Sequence, residues 1–488
     1  MPRRLRPAPV PPADDLEAGF DAIRRELDVS AAFPAQVEAA ASAAAAGQPA
    51  DPALGARTRE DLREVGFVTL DPPGSRDLDQ AFALERRSGG GWRVRYAIAD
   101  VAAFVTTGDA VDTEAWARGT TLYAPDSRVP LHPLALSEGA ASLLPGEERP
   151  ACVWTIDLDA DGEQVAVDLR RAWVRSRAQL DYPAAQRDLD AGTADEPLVL
   201  LAEVGPAREG AERRRGGFDL PVPEQEVTRP HPPGAGAWTL TLRGPLAVER
   251  HNAQLSLLTG MAAAGLMLQA GVGLLRTMPP PDAGAVAWLR RTAAGLGVAW
   301  GADTALGDVL RGVDPHAPAG AAFLEEATTL LRGAGYTPFD GAPPEQPVHG
   351  ALAAPYAHVT APLRRLADRA ATEVCLAAAA GVEPPAWARE ALPRLPDVMA
   401  AAGRRAGAYE RACVDLVEAV LLRERVGERF RATVVDVDSR RPAGTVTIPR
   451  PAVRARCDGE RLELGAVVDA RLVEADPTRR AVRFAAGA

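Results

Sequence analysis

Thr69-Leu70-Asp71-Pro72-Pro73-Gly74-Ser75-Arg76-Asp77-Leu78-Asp79-Gln80-Ala81-Phe82 sets three carboxylates beside two prolines, a glycine and an arginine. Val65, Phe67, Val68 and Leu70 lead into it with apolar side chains. That pattern predicts a strand running into a tight turn, followed by a second extended piece. Asp77 and Asp79 are two apart, so on an extended backbone they project to one side, and a Pro72-Pro73-Gly74 turn can bring Asp71 back beside them.

Carboxylates gathered at one spot repel, and they stay ionised together at neutral pH only when a cation neutralises them. Hard oxygen ligands at a strand end suit Mg²⁺ or Mn²⁺, with coordination positions left for water and phosphate oxygens. Such an ion activates water and stabilises charge on a leaving oxygen, which is phosphoryl chemistry. The same residues also suit an ordinary acidic loop closed by an Asx-turn.

The stretch resembles the signature of the ribonuclease II/ribonuclease R (RNB) family of exoribonucleases. The similarity continues through Tyr96-Ala97-Ile98-Ala99-Asp100-Val101, Tyr123-Ala124-Pro125, Ser142-Leu143 and Arg149-Pro150. It resumes at Tyr356-Ala357-His358-Val359-Thr360-Ala361-Pro362-Leu363-Arg364-Arg365 and at Ala408-Tyr409-Glu410-Arg411, so it spans most of residues 59–425 in the family's order. Separate motifs in register are far more specific than any one of them. The resemblance implies a Mg²⁺-dependent hydrolytic exoribonuclease that shortens single-stranded RNA from its 3′ end, releasing nucleoside 5′-monophosphates and leaving a short oligomer. It assigns metal and attacking water to Asp71, Asp77, Asp79 and the next position. Relatives usually carry a fourth acid there; this chain has Gln80, an amide that brings oxygen without charge. A weakened RNA-binding protein on the same fold is therefore the alternative.

Residues 13–30 and 34–46 predict two helices, the first with Leu16, Phe20, Ile23 and Leu27 on one face. Together they suggest a small helical module over 1–58, helix-turn-helix or winged-helix-like. Residues 59–175 are strand-rich: 81–87 and 92–101 flank Ser88-Gly89-Gly90-Gly91, and 154–158 and 164–174 flank Asp159-Ala160-Asp161-Gly162. The second loop lacks the ligand pattern of a calcium site and predicts a hairpin turn. Between the pairs lies Tyr123, which the resemblance makes an aromatic stacking on a nucleotide. Arg213-Arg214-Arg215, assigned to a loop, suits either solvent or an RNA backbone, and a proline-rich stretch follows at 229–234.

From residue 246 the period turns helical, over 246–275, 284–297, 320–333, 363–380 and 395–425. Strands followed by helices predict an α+β catalytic domain over 59–426, in the family a twisted sheet surrounded by helices. Pro362 suits the first turn of a helix capped by Thr360 or Ala361. Arg364 and Arg365 in that turn oppose the helix dipole, and with free backbone N–H groups they form a phosphate clamp. By resemblance Arg364 holds the phosphate, Arg76 and Arg365 line the substrate path, and Glu410 contacts the last nucleotide. Pattern alone pairs Arg364 with Asp368, leaves Arg365 to solvent, and makes Glu410 a surface glutamate.

Residues 427–488 predict about five short strands, at 430–437, 443–448, 461–464, 467–473 and 481–484, the count of an OB barrel. This resembles the S1 RNA-binding domain. With Phe430 and Phe484 its only aromatics, backbone contacts should outweigh base stacking.

The 488-residue chain has no lysine, and its net charge of −11 gives no global support to nucleic-acid binding, so any RNA surface must be local. Cys152, Cys375, Cys413 and Cys457 are scattered, as free thiols in a reducing cytoplasm would be. Residues 1–12 are basic but lack the apolar core of a secretory signal. The uncharged run 255–275 is long enough to span a bilayer, yet Ser256, Thr259, Gln269 and its glycines favour a buried core helix. No membrane association and a monomer are expected.

Overall fold

A computed structural model describes residues 13–50, 58–228 and 238–487; the proline-rich 229–234 stretch and the first twelve residues lie outside them. The N-terminal half holds strands β1 (Glu60–Asp61), β2 (Val68–Asp71), β3 (Gln80–Arg86), β4 (Trp92–Ala99), the short pair β5 (Leu122–Tyr123) and β6 (Arg128–Val129), β7 (Glu148–Leu158), β8 (Gln164–Arg175) and β9 (Ala178–Asp181). All but β5 and β6 form one seven-stranded sheet in the order β1-β8-β7-β4-β3-β2-β9. Its interior strands are antiparallel, while β1 and β9 add at the edges in parallel.

Alternation sorts side chains by size between the two faces. Phe82, Val94, Tyr96, Ile98, Trp154 and Ile156 fill one core, and the smaller Ala81, Ala97, Ala99, Ala151, Val153 and Ala172 fill another. After α4 (Tyr182–Ala191), helices α5 (Glu196–Arg215) and α6 (Ala247–Ala270) pack on the large-residue face, as does α10 (Leu366–Ala380), which follows α7 (Ala283–Leu296), α8 (Leu306–Gly312) and α9 (Pro318–Ala327) and precedes α11 (Ala386–Ala391). The other core also takes residues of α2 (Ala35–Ala46) and α3 (Ala110–Arg118).

The uncharged run is two elements. Helix α6 ends at Gly271, whose φ of +71° closes it with a left-handed cap, and the chain continues as strand Val272–Thr277. The helix has the length and composition to cross a membrane, but Leu255, Leu258, Ala263 and Met267 are buried in the main core. At Gly260 the 356–358 segment crosses in contact: a Cβ there would stand 2.1 Å from the Tyr356 ring and 2.6 Å from the Ala357 carbonyl. Only glycine permits that approach.

Helix α1 (Ala13–Glu26) buries Leu16, Phe20 and Ile23 in the core that α12 (Leu395–Leu422) shares with the C-terminal barrel. Helix α2 buries Val37 and Ala41 in the core behind the sheet. The two helices therefore belong to different cores of the larger body, and among the described residues they do not make the separate helical module expected over 1–58.

Five strands close the C-terminal barrel: Arg429–Val437, Ala443–Pro449, Ala452–Asp458, Val467–Asp476 and Ala481–Ala486. The third is Ala452–Asp458 rather than 461–464. Its apolar positions, Val453, Ala455 and Cys457, alternate with exposed Arg454 and Arg456, and those arginines mask the strand in sequence. Arg213, Arg214 and Arg215 form the last turn of α5 instead of a loop. Arg214 ties that turn to the Asp161 carbonyl at 2.7 Å and to Glu163 at 2.9 Å, so the charge run clasps the 159–162 hairpin.

Candidate active site

Asp71 ends β2, and Gln80 begins β3, paired with Ile98 of β4. Between them the chain turns at 72–75, where Ser75 N–H donates to the Pro72 carbonyl at 3.2 Å and Gly74 has φ +80°. A proline followed by a left-handed glycine is the type II turn that the sequence demands. Ser142 then pins the return strand: its hydroxyl donates to the Arg76 carbonyl at 2.6 Å and accepts from the Leu78 N–H at 3.0 Å, while Leu143 N–H donates to the Leu78 carbonyl at 3.0 Å. Asn252 of α6 supports the other limb by donating to the Leu70 carbonyl at 3.3 Å and to the Tyr182 hydroxyl at 3.1 Å.

Asp79 faces the 360–365 loop. Its Oδ1 accepts the Leu363 N–H at 2.7 Å and its Oδ2 lies 3.6 Å from Arg364 Nε. Burial pushes the Asp79 carboxyl up to about 8 and the Asp71 carboxyl up to about 7, with Arg364 pulling both back down. Asp71 Oδ2 is buried without a hydrogen-bond partner. Gln80 Nε2 donates to the Thr360 carbonyl at 2.5 Å, so this amide stitches the acidic strand to the arginine loop.

The arginine loop differs from the expected helix turn. Helix α10 starts only at Leu366, and 360–365 is a turn that precedes it. Thr120 and Thr121 capture the Arg364 carbonyl, at 2.8 Å from the Thr120 hydroxyl and 3.0 Å from the Thr121 N–H, which removes it from any helical ladder. Arg365 grips the fully buried Asp368 through Nε at 3.0 Å and Nη2 at 2.8 Å, and Asp368 also accepts the Ala361 N–H at 2.8 Å. The pairing is thus the reverse of the simple expectation: Arg365 is committed to Asp368, and Arg364 reaches the carboxylates. Arg365 consequently shapes the loop rather than offering a free guanidinium to substrate. His132, a residue the sequence did not single out, is buried with no hydrogen-bond partner on Nδ1, and burial pushes its imidazole down to about 3.

Tyr123 and Arg128 sit opposite each other across the β5–β6 hairpin. The Tyr123 side chain is half exposed, and its hydroxyl lies in the fields of Asp77, Arg364 and Asp79. Arg128 was not legible in the sequence. It pairs with Asp77 at 2.7 Å and with Glu138 at 2.5 Å. Exposed Arg76 lies 3.5 Å from Glu138. Glu410 is exposed on α12, next to buried Tyr409.

By chemistry, carboxylate oxygens from three aspartates and the Gln80 amide oxygen would suit Mg²⁺ or Mn²⁺ if they were brought together, and Asp71 Oδ2 is buried with no hydrogen-bond partner to satisfy it. Among the described residues, however, no three His, Cys, Asp or Glu side chains stand close enough together to hold an ion. Arg128 draws on Asp77, and the Leu363 amide on Asp79. The expected convergence is therefore incomplete: Asp71 and Asp79 share the field of Arg364, while Asp77 is held by Arg128.

The chain matches the RNB domain over residues 59–377 and the RNase II-type exonuclease C-terminal S1 domain over 428–487. The Arabidopsis thaliana exosome complex exonuclease RRP44 homolog A is 29% identical over 322 residues, 64% of this chain and 34% of that protein. The chain spans about a third or less of the length of the curated relatives it matches. Mycoplasma genitalium RNase R in complex with ribose-methylated single-stranded RNA superposes with a TM-score of 0.84 at 20% identity, covering 97% of this chain and 78% of that one. Yeast Ssd1, a pseudonuclease, superposes with a TM-score of 0.68 at 16% identity over 95% of this chain and 57% of its own. With the domain match spanning well over half of its residues and the barrel following in order, this chain belongs to the RNB family and carries an RNase II-type C-terminal S1 domain.

Proposed function

We propose that the protein is a Mg²⁺-dependent hydrolytic 3′-to-5′ exoribonuclease acting on single-stranded RNA, with nucleoside 5′-monophosphates and a short residual oligomer as products. The observation that carries this reading is the juxtaposition of Arg364 with the Asp79 and Asp71 carboxylates at the β2–β3 turn. Asp71 and Asp79, joined by the Gln80 amide oxygen and by Asp77 once Arg128 yields it, would hold the ion. A bound Mg²⁺ or Mn²⁺ supplies an activated water and neutralises charge on the scissile phosphate. Arg364, whose backbone carbonyl is held by Thr120 and Thr121, grips that phosphate through its guanidinium. Tyr123 stacks on a base without reading its identity, worth about 1 to 3 kcal/mol, and Arg76 and Glu410 flank the strand. The S1 barrel supplies backbone contacts to RNA. Recognition of ribose hydroxyls would exclude DNA. A cytoplasmic monomer is the working state.

Gln80 favours a second reading, an RNA-binding protein with a weakened site. Its amide hydrogen is spent on Thr360, and the named relatives of this fold include a pseudonuclease. Purified protein incubated with a labelled oligoribonucleotide and Mg²⁺ separates the two. Stepwise shortening that Asp79→Asn abolishes supports the nuclease; tight binding with no shortening supports the binder.

A further inference from the structure

Helix α1 lies far in sequence from the acidic turn, yet it bears directly on the hairpin that carries Tyr123. Arg24 places Nη2 at 2.9 Å from Asp126 Oδ2 and Nη1 at 3.2 Å from Oδ1. Nη1 also donates to the Ser127 hydroxyl at 2.9 Å and to the Tyr409 hydroxyl at 3.3 Å. Asp126 and Ser127 form the tip of the β5–β6 hairpin, closed by Ala124 N–H donating to the Ser127 carbonyl at 2.9 Å. One guanidinium therefore ties the hairpin tip to α12. Below the tip, Leu122 and Val129 point into the same core as Leu16, Phe20 and Ile23 of α1. Alternation then leaves Tyr123 and Arg128 on the opposite face, Tyr123 toward solvent and Arg128 on Asp77.

Two further contacts brace the same unit. Arg118, nearly buried, donates to the Ser30 carbonyl at 3.2 Å, the Ala32 carbonyl at 2.8 Å and the Pro130 carbonyl at 3.1 Å, joining the segment after α1 to the residue after β6. At the helix's C-terminal end Glu26 pairs with Arg480 of the S1 barrel at 2.8 Å.

We infer that α1 is a strut for the β5–β6 hairpin, and that Arg24 is a positioning residue which acts on RNA through Tyr123. The inference rests on the reading of Tyr123 as a base-stacking residue. A two-residue hairpin has no stability of its own. It keeps one conformation only if its tip and its apolar side are held from outside, and α1 holds both. A bidentate, charge-assisted Arg–carboxylate pair at a partly buried joint is strong enough to do so.

The test uses the full chain with Arg24→Ala, Arg24→Lys, Tyr123→Ala and the double variant Arg24→Ala/Tyr123→Ala. Hydrogen exchange of peptides covering 121–130 should rise about tenfold or more in Arg24→Ala, with α10 unchanged. Affinity for a fluorescein-labelled oligoribonucleotide, read by anisotropy in EDTA so that no cleavage intervenes, should fall about tenfold in both single variants. It should fall no further in the double variant, because the two residues act in series. Arg24→Lys, which keeps the charge without the fork, should lie between. Additive losses, or unchanged exchange at 121–130 in both Arg24 variants, would overturn the inference. If the unaltered protein fails to bind RNA at all, the stacking reading of Tyr123 is what has failed, and the exchange data still decide whether α1 holds the hairpin.

Discussion

Arg364 and Asp79 are coupled twice over. The guanidinium Nε stands 3.6 Å from Oδ2, and the amide of Leu363, one residue earlier, donates to Oδ1 at 2.7 Å. The backbone contact sets the separation, and the charge contact uses it. Arg364→Ala keeps the backbone contact and removes a half-exposed side chain, so melting should hardly change. Single-turnover cleavage of a labelled oligoribonucleotide should slow by about 10²–10³-fold, the usual loss when one preorganised donor to developing charge is removed. Arg364→Lys should recover only part, since an ammonium cannot offer the fork.

Asp368 is fully buried and accepts from both Arg365 and the Ala361 amide. Asp368→Ala leaves the guanidinium unpaired and frees the 360–365 turn. The expected cost is about 3–5 kcal/mol in denaturant unfolding. Cleavage by the fraction still folded should also collapse, because Arg364 loses its fixed position.

Gln80→Asp would put a fourth carboxylate beside Asp79 and remove the donor to the Thr360 carbonyl. Without divalent ions the variant should be less stable by about 1–3 kcal/mol, from the unsatisfied carbonyl and like-charge repulsion. In titration calorimetry it should bind Mn²⁺ more tightly than the unaltered protein. Weaker Mn²⁺ binding would show that Gln80 is not at the ion's position.

Glu418 lies at the joint of α12, the strand Glu224–Thr228 and the barrel. It accepts from Gln225 Nε2 at 2.7 Å and from Arg454 N–H at 2.9 Å, with Asp415 adding like charge. Burial raises its carboxyl from 4.5 to about 7. A raised acid binds its proton more tightly in the folded state. The stabilisation is therefore complete below about pH 4.5 and is lost as pH rises through 7. Glu418→Gln, which stays neutral, should flatten that part of the stability profile between pH 5 and 8 in buffered thermal melts, by about 3 kcal/mol at most. An unchanged slope would contradict the assignment.

Local signals in the chain were strong where the chemistry is backbone-driven. Pro73-Gly74 demanded the turn that carries the chain from Asp71 back toward Asp77, and the glycine-rich 88–91 loop and alternating apolar residues marked β3 and β4. Signals failed where a polar residue sits inside an element for tertiary reasons. Arg454 and Arg456 hid a barrel strand because they face outward from it. Arg364 and Arg365 suggested a helix start, but threonine donors from 120–121 hold that carbonyl outside the helix.

From the residues alone came the family, the order of its RNB and S1 domains, and the choice of Asp71, Asp77, Asp79, Gln80 and Arg364 as candidates for the chemistry, because motif spacing and turn chemistry are local properties of the chain. Which partner each of them takes was decided only by the folded body. Arg128 on Asp77, Arg365 on Asp368, Gln80 on Thr360 and Arg24 on Asp126 join residues dozens to hundreds of positions apart, or choose between neighbours three and four residues away. A charge pair depends on distance and burial, and neither exists until helices and sheet have packed.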